Sequence, residues 1–78
     1  MEIDHQQILN LAEEGEWDQA HRMVQPCSDR LSCLIHAYLH RVEGDIGNAG
    51  YWYSRAGEDF PGNTLEQEFG RLADLVHT

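Results

Sequence analysis

Lysine is absent from this 78-residue chain, which removes Schiff-base chemistry and a lysine phosphate clamp at once. Cysteine occurs only twice, at Cys27 and Cys33. A small secreted scaffold would normally carry four or more, so both are expected to be reduced thiols in a cytoplasmic protein. No stretch approaches the roughly eighteen apolar residues of a membrane span. The opening Met1-Glu2-Ile3-Asp4 has no apolar run, so no secretory signal is expected there. The signatures G-x-x-x-x-G-K-[ST], G-x-S-x-G, C-x-x-C and H-E-x-x-H are all missing. Positive charge is scarce: five Arg face fourteen acidic residues, a net charge of −9. Such a surface repels polyanions, so neither nucleic acid nor an anionic membrane is an expected partner. The five His are the reserve, because protonating all of them would bring −9 to −4.

What remains is an ordinary globular composition, 41% hydrophobic and 24% charged, in one domain spanning 1–78. Its punctuation predicts an all-α fold of about five short helices. Asp4 with Gln7 offers a capping box for the first, whose apolar positions are Ile8, Leu11 and Ala12, and Gly15 ends it. A second, from about Glu16 to Gln25, turns Trp17, Ala20 and Val24 inward until Pro26. The longest runs from about Asp29 to Glu43 with the stripe Leu31, Leu34, Ile35, Tyr38, Leu39 and Val42, and Gly44 terminates it. Asp45 caps a fourth with Ile46, Ala49, Tyr53 and Ala56 on one face. After a loop at Gly57–Gly62, either Asn63 with Glu66 or Thr64 with Gln67 caps the last, which buries Leu65, Phe69, Leu72, Ala73 and Val76. No segment alternates as a strand would.

The chain also repeats itself. Gly15-Glu16-Trp17-Asp18-Gln19-Ala20 lies over Gly44-Asp45-Ile46-Gly47-Asn48-Ala49 at a shift of 29 residues. Glycine permits the left-handed bend, the acid caps the next helix, and alanine allows close backbone approach. The pattern predicts two stacked helical hairpins, 1–26 and 28–57, with a closing helix over 63–77. These residues resemble the tetratricopeptide family. Ala37, Gly44, Asp45, Ala49, Tyr53, Ala56 and Pro61 stand at its spacings in the second copy, and Gly15, Glu16, Trp17, Ala20 and Val24 in a first copy whose junction is five residues short. The related Sel1-like repeats fit comparably. Residues 35–57 also resemble a segment shared by small bacterial proteins of unassigned function, which implies a fold and no activity.

Several side chains are candidates for chemistry. His36 and His40, four apart on one helix side, with Glu43 a turn further, form an acceptable ligand set for zinc, nickel or non-haem iron. The alternative is packing: both histidines half-buried between helices and hydrogen-bonded to backbone or to Tyr53. Tyr51, Trp52 and Tyr53 are consecutive, so Tyr53 faces inward while Tyr51 and Trp52 splay to either side, under the last helix or out toward a partner. Arg41 and Arg55 suit surface ion pairs, Arg41 with Asp45 or Glu43. The tetratricopeptide resemblance implies a groove lined by Leu34, Tyr38 and Arg41 with His5, Leu9 and Ala12, in which Arg41 grips a peptide carboxylate. Cys33 packs, and neither thiol has an oriented base to make it a nucleophile.

The leading expectation is therefore a non-catalytic interaction module that needs no cofactor and binds a protein or peptide partner, or itself as a homodimer, with Tyr38, Arg41, Tyr51 and Trp52 as contact residues. A metal-binding protein or metal-dependent enzyme using His36, His40 and Glu43 is the alternative. A pH-responsive binder is a third reading.

Overall fold

A computed structural model describes residues 3–78. The fold is all-α. Its helices are α1 (His5–Glu13), α2 (Trp17–Val24), α3 (Arg30–Val42), α4 (Ile46–Arg55) and α5 (Leu65–Val76), and no strand occurs among the described residues.

Local chemistry sets the boundaries. Asp4, Asp29, Asp45 and Thr64 each accept a hydrogen bond from the backbone N–H three residues on, at Gln7, Ser32, Asn48 and Gln67. Each satisfies one of the donors that a helix start leaves free. Only Thr64 with Gln67 forms the reciprocal capping box; at Asp4 the side-chain half alone is present. α1 and α3 end in the same bend. Gly15 (φ +83°) and Gly44 (φ +84°) sit in the left-handed region. Their N–H groups bond to the Ala12 and Arg41 carbonyls, and those of Glu16 and Asp45 to Leu11 and His40. α4 ends the same way at Gly57 (φ +79°), with the N–H groups of Gly57 and Glu58 bonded to the Ser54 and Tyr53 carbonyls, so three helices share one helix-ending motif.

The core is built around α3, which packs against all four other helices. Ile8 and Leu9 of α1, Ala20 and Val24 of α2, Leu34, Ile35, Ala37 and Leu39 of α3, Ala49 and Tyr53 of α4 and Leu72 of α5 are fully buried together. The small Ala37 and Ala49 belong to the closest of these contacts, α3 against α4. Three residues expected to face inward do not: Val42 is 46% exposed, Ile46 56% and Leu65 38%. Each lies in the first or last turn of its helix, where no neighbouring helix extends far enough to cover it.

α5 lies across α1 and α3. This is the face that the groove reading left open, and the chain's own last helix fills it. Tyr38 packs against Phe69 at 5.9 Å between ring centroids. Arg41 does not pair with Asp45 or Glu43. Its guanidinium donates to the Asn63 side chain at 2.9 Å, the Asn63 carbonyl at 2.6 Å and the Tyr53 hydroxyl at 3.3 Å, and lies over the Phe60 ring. The key to α5 is a charge the sequence pattern passed over. Glu68 is fully buried, and its carboxylate accepts from the Tyr53 hydroxyl (2.7 Å), Asn63 (2.9 Å) and Arg71 (2.8 and 2.9 Å). Arg71 and Arg30 both reach Glu58. Burial alone would raise the Glu68 pKa, but the bonds from Arg71, Tyr53 and Asn63 hold it at about 2. A buried carboxylate persists where its lone pairs are filled this way.

The two kinds of glycine separate by experiment. An alanine at Gly44 meets no atom within 4 Å, so its cost is the left-handed backbone alone, about 1–2 kcal/mol. Gly70, inside α5, also has open space and no positive φ. Gly70→Ala should stabilise by up to about 1 kcal/mol. Thermal melts should therefore shift in opposite directions, by about 4–8 °C per kcal/mol.

Candidate metal centre

Enclosure of α3 dictates the state of its polar residues. His36 is 2% exposed and His40 8%. They stand one turn apart on the side of α3 away from α5, with rings 4.9 Å apart and nearly parallel. α2 supplies a third imidazole. His21 Nε2 lies 3.1 Å from His36 Nε2, and the His21 ring is 4.7 Å from that of His36 and 5.2 Å from that of His40. One ring nitrogen of each of the three lies within 4.8 Å of the other two.

This corrects the expected ligand set. Glu43 is on the other side of His40, with Oε1 2.6 Å from Nδ1. A carboxylate there requires an N–H on Nδ1, so the lone pair of His40 is left on Nε2. Glu43 therefore orients the His40 ring, in the arrangement carboxylates commonly take behind metal-binding histidines. His21 takes the place assigned to it. A second grouping, His40, Glu43 and Asp45, is accounted for structurally, because Asp45 accepts from the backbone and side-chain nitrogens of Asn48 as the cap of α4. The packing alternative is half right: the histidines are buried, but their partners are His21 and Glu43, and Tyr53 is spent on Glu68 and Arg41.

Two indoles wall the cluster. Trp52 of α4 lies flat on His36 at 3.9 Å, and Trp17 of α2 lies flat on His21 at 4.7 Å with its edge toward His40 at 6.0 Å. Trp17 also donates its indole N–H to the Leu39 carbonyl at 2.7 Å. Of the splayed pair, Trp52 thus turns inward, while Tyr51 is 53% exposed with Arg55 beside it. Arg55 also covers Trp52 at 5.2 Å.

Electrostatics disfavour the charged forms of His36 and His21. Burial, followed by the neighbouring His21 and His40, holds the His36 pKa down at about 4. His21 is lowered too, first by burial and then by His40. Neutral imidazole is the metal-binding form, so an ion would displace no net proton from His21 and His36 at pH 7, but the proton shared by their Nε2 atoms would have to move to a ring Nδ1. The spacing of one pair also suits an ion. Two nitrogens each 2.0–2.1 Å from a tetrahedral metal are separated by about 3.3 Å, close to the 3.1 Å between the His21 and His36 Nε2 atoms. The remaining nitrogen of His36, Nδ1, is buried with no hydrogen-bond partner. Of the two bridging tautomers, one puts the N–H on His36 Nε2 and leaves only a lone pair at that orphan position.

Other candidate groups are absorbed by structure. His5 Nε2 is 3.0 Å from both Asp29 and Ser32. Because one nitrogen meets both, this is a tie between α1 and the start of α3, without the two-sided relay a nucleophilic serine needs. Cys27 and Cys33 are free thiols. Burial raises the Cys33 pKa, the opposite of activation. Comparison with protein-family models, with curated proteins and with solved structures yields no match, and the reading of the site rests on its geometry.

The buried, neutral His36 makes stability fall with acid. Its pKa is about 4 folded against 6.5 unfolded, so the contribution is complete above pH 6.5 and is lost as pH falls toward 4, on the order of 3 kcal/mol. Glu68, about 2 against 4.5, adds a second loss below pH 4.5. Urea melts from pH 7.5 to 2.5 should show both declines in the native chain. In His36→Gln the first limb should flatten while the Glu68 limb remains.

Proposed function

We propose that this chain is a transition-metal-binding protein whose ion is held by His21, His36 and His40, with Glu43 fixing the orientation of His40. The observation that supports it is the convergence of three imidazole nitrogens, contributed by two helices, within 4.8 Å. Nitrogen donors favour zinc, copper, nickel and cobalt over magnesium and calcium. The packed core of α1, α3, α4 and α5 closes without the cluster, so the ion is a ligand of a folded protein and its removal should leave the helices standing. Three protein ligands also leave a coordination position for water or for a further ligand, as in functional zinc sites.

Calorimetry on protein made without a histidine tag and stripped with chelator should show one zinc per chain and no binding of magnesium. Zinc at 100 times the dissociation constant should stabilise the fold by about 2.7 kcal/mol. His21→Asn and His40→Asn should abolish stoichiometric uptake, and Glu43→Gln should weaken it about ten- to hundredfold. An absence of heat and of any melting shift with zinc would rule the reading out.

An interaction role is supported by a separate surface. Tyr51 is about half exposed, and Arg55 beside it adds a cation. Aromatic and arginine side chains are what interface anchors use. On this reading the chain self-associates through α4, and Tyr51→Ala should convert a dimer to a monomer by light scattering. A monomeric wild type ends it.

A further inference from the structure

The three imidazoles do not come from equally secure places. Two are consecutive turns of α3, the most enclosed helix. The third, His21, comes from α2, which has eight residues and no side-chain cap at Glu16. The fully buried residues of α2 are Ala20, which closes its first turn, and Val24 at its end. Trp17 is the residue in that turn that crosses to α3. Its N–H bonds to the Leu39 carbonyl at 2.7 Å, on the residue next to His40. Its ring lies flat on His21 and edge-on to His40. One side chain thus touches a ligand on each helix and the backbone that carries one of them.

We propose that Trp17 is the positioning residue of the metal site: its indole pins the first turn of α2 to α3 and so holds His21 beside His36 and His40. This rests on the metal-binding reading above. A positioning role differs from a general stabilising one in what it controls. Lost core packing lowers the melting temperature of the whole domain, whereas a displaced α2 removes one nitrogen from the ion and lets water take its place.

Zinc and cobalt loading of the full, untagged chain distinguishes these. Cobalt is the second probe because its visible d–d absorption is strong when four-coordinate and weak when water raises the coordination number. The variants are Trp17→Phe, Trp17→Leu and, as a stability control, Leu72→Val on α5, which packs against α1 and α3. Trp17→Leu should weaken zinc binding about tenfold or more and bleach the cobalt band. Trp17→Phe keeps a ring against His21 and loses only the bond to Leu39. It should retain the band and lose roughly two- to tenfold in affinity. Leu72→Val should melt earlier with zinc affinity and cobalt spectrum unchanged. The proposal is overturned if Trp17→Leu binds as the wild type does, or if Leu72→Val weakens zinc as much as Trp17→Leu. If Trp17→Leu does not fold, wild-type affinity in Trp17→Phe overturns it equally. A wild-type chain that takes up neither ion removes the metal site itself, and the role of Trp17 with it.

Discussion

The structure depends on the enclosure of α3. Every other helix packs on it, and eight of its thirteen residues are buried, Ser32, His36 and His40 among them. A helix surrounded on all sides cannot send its polar side chains to water, so each must find a partner inside the protein. Ser32 meets His5, His40 meets Glu43 and His36 meets His21. The histidine cluster follows from placing imidazoles on the central element of a very small domain.

A division of labour follows. On one side of α3, α5 is secured by a charged network around Glu68, with every oxygen of that carboxylate in use. On the other side, α2 and α4 are joined to α3 by aromatic rings stacked or set edge to face. The first side is saturated and rigid in its chemistry. The second has a nitrogen without a partner and three imidazoles whose ring nitrogens lie within 4.8 Å of one another. Unused donor capacity is concentrated where the chain has packed its aromatic groups.

Much of the fold was legible in the sequence. The turns at Gly15 and Gly44, the caps at Asp45 and Thr64, and the inward Ala49, Tyr53 and Leu72 all follow from local rules that need no knowledge of neighbours. The failures come from assuming that a helix has one buried face. The sequence pattern leaves His36 and His40 half-buried between helices, and α3 is enclosed more fully than that, leaving them 2% and 8% exposed. Val42, Ile46 and Leu65 keep the period but sit at helix ends beyond the reach of their neighbours. The open groove along Tyr38 and Arg41 failed because α5 is long enough to lie in it. Glu68 was hidden because a carboxylate among apolar positions reads as exposed until its partners, 15 residues back in Tyr53 and 3 on in Arg71, are seen together. His21 did leave a signal: it stands four residues after Trp17, where one ring covers the other on a helix, but its partners lie 15 and 19 residues away on α3.

The arrangement of the indoles has an optical consequence. The chain has two tryptophans, and both rest against histidines of the same cluster. Its near-ultraviolet emission is therefore a reading of that one spot, blind to α5 and to the ionic network beneath it. An unfolding curve followed by fluorescence will trace the parting of α2 and α4 from α3, whereas one followed by helical ellipticity will trace the whole chain. Wherever those two curves separate, the interval between them measures how independently the imidazole cluster comes apart.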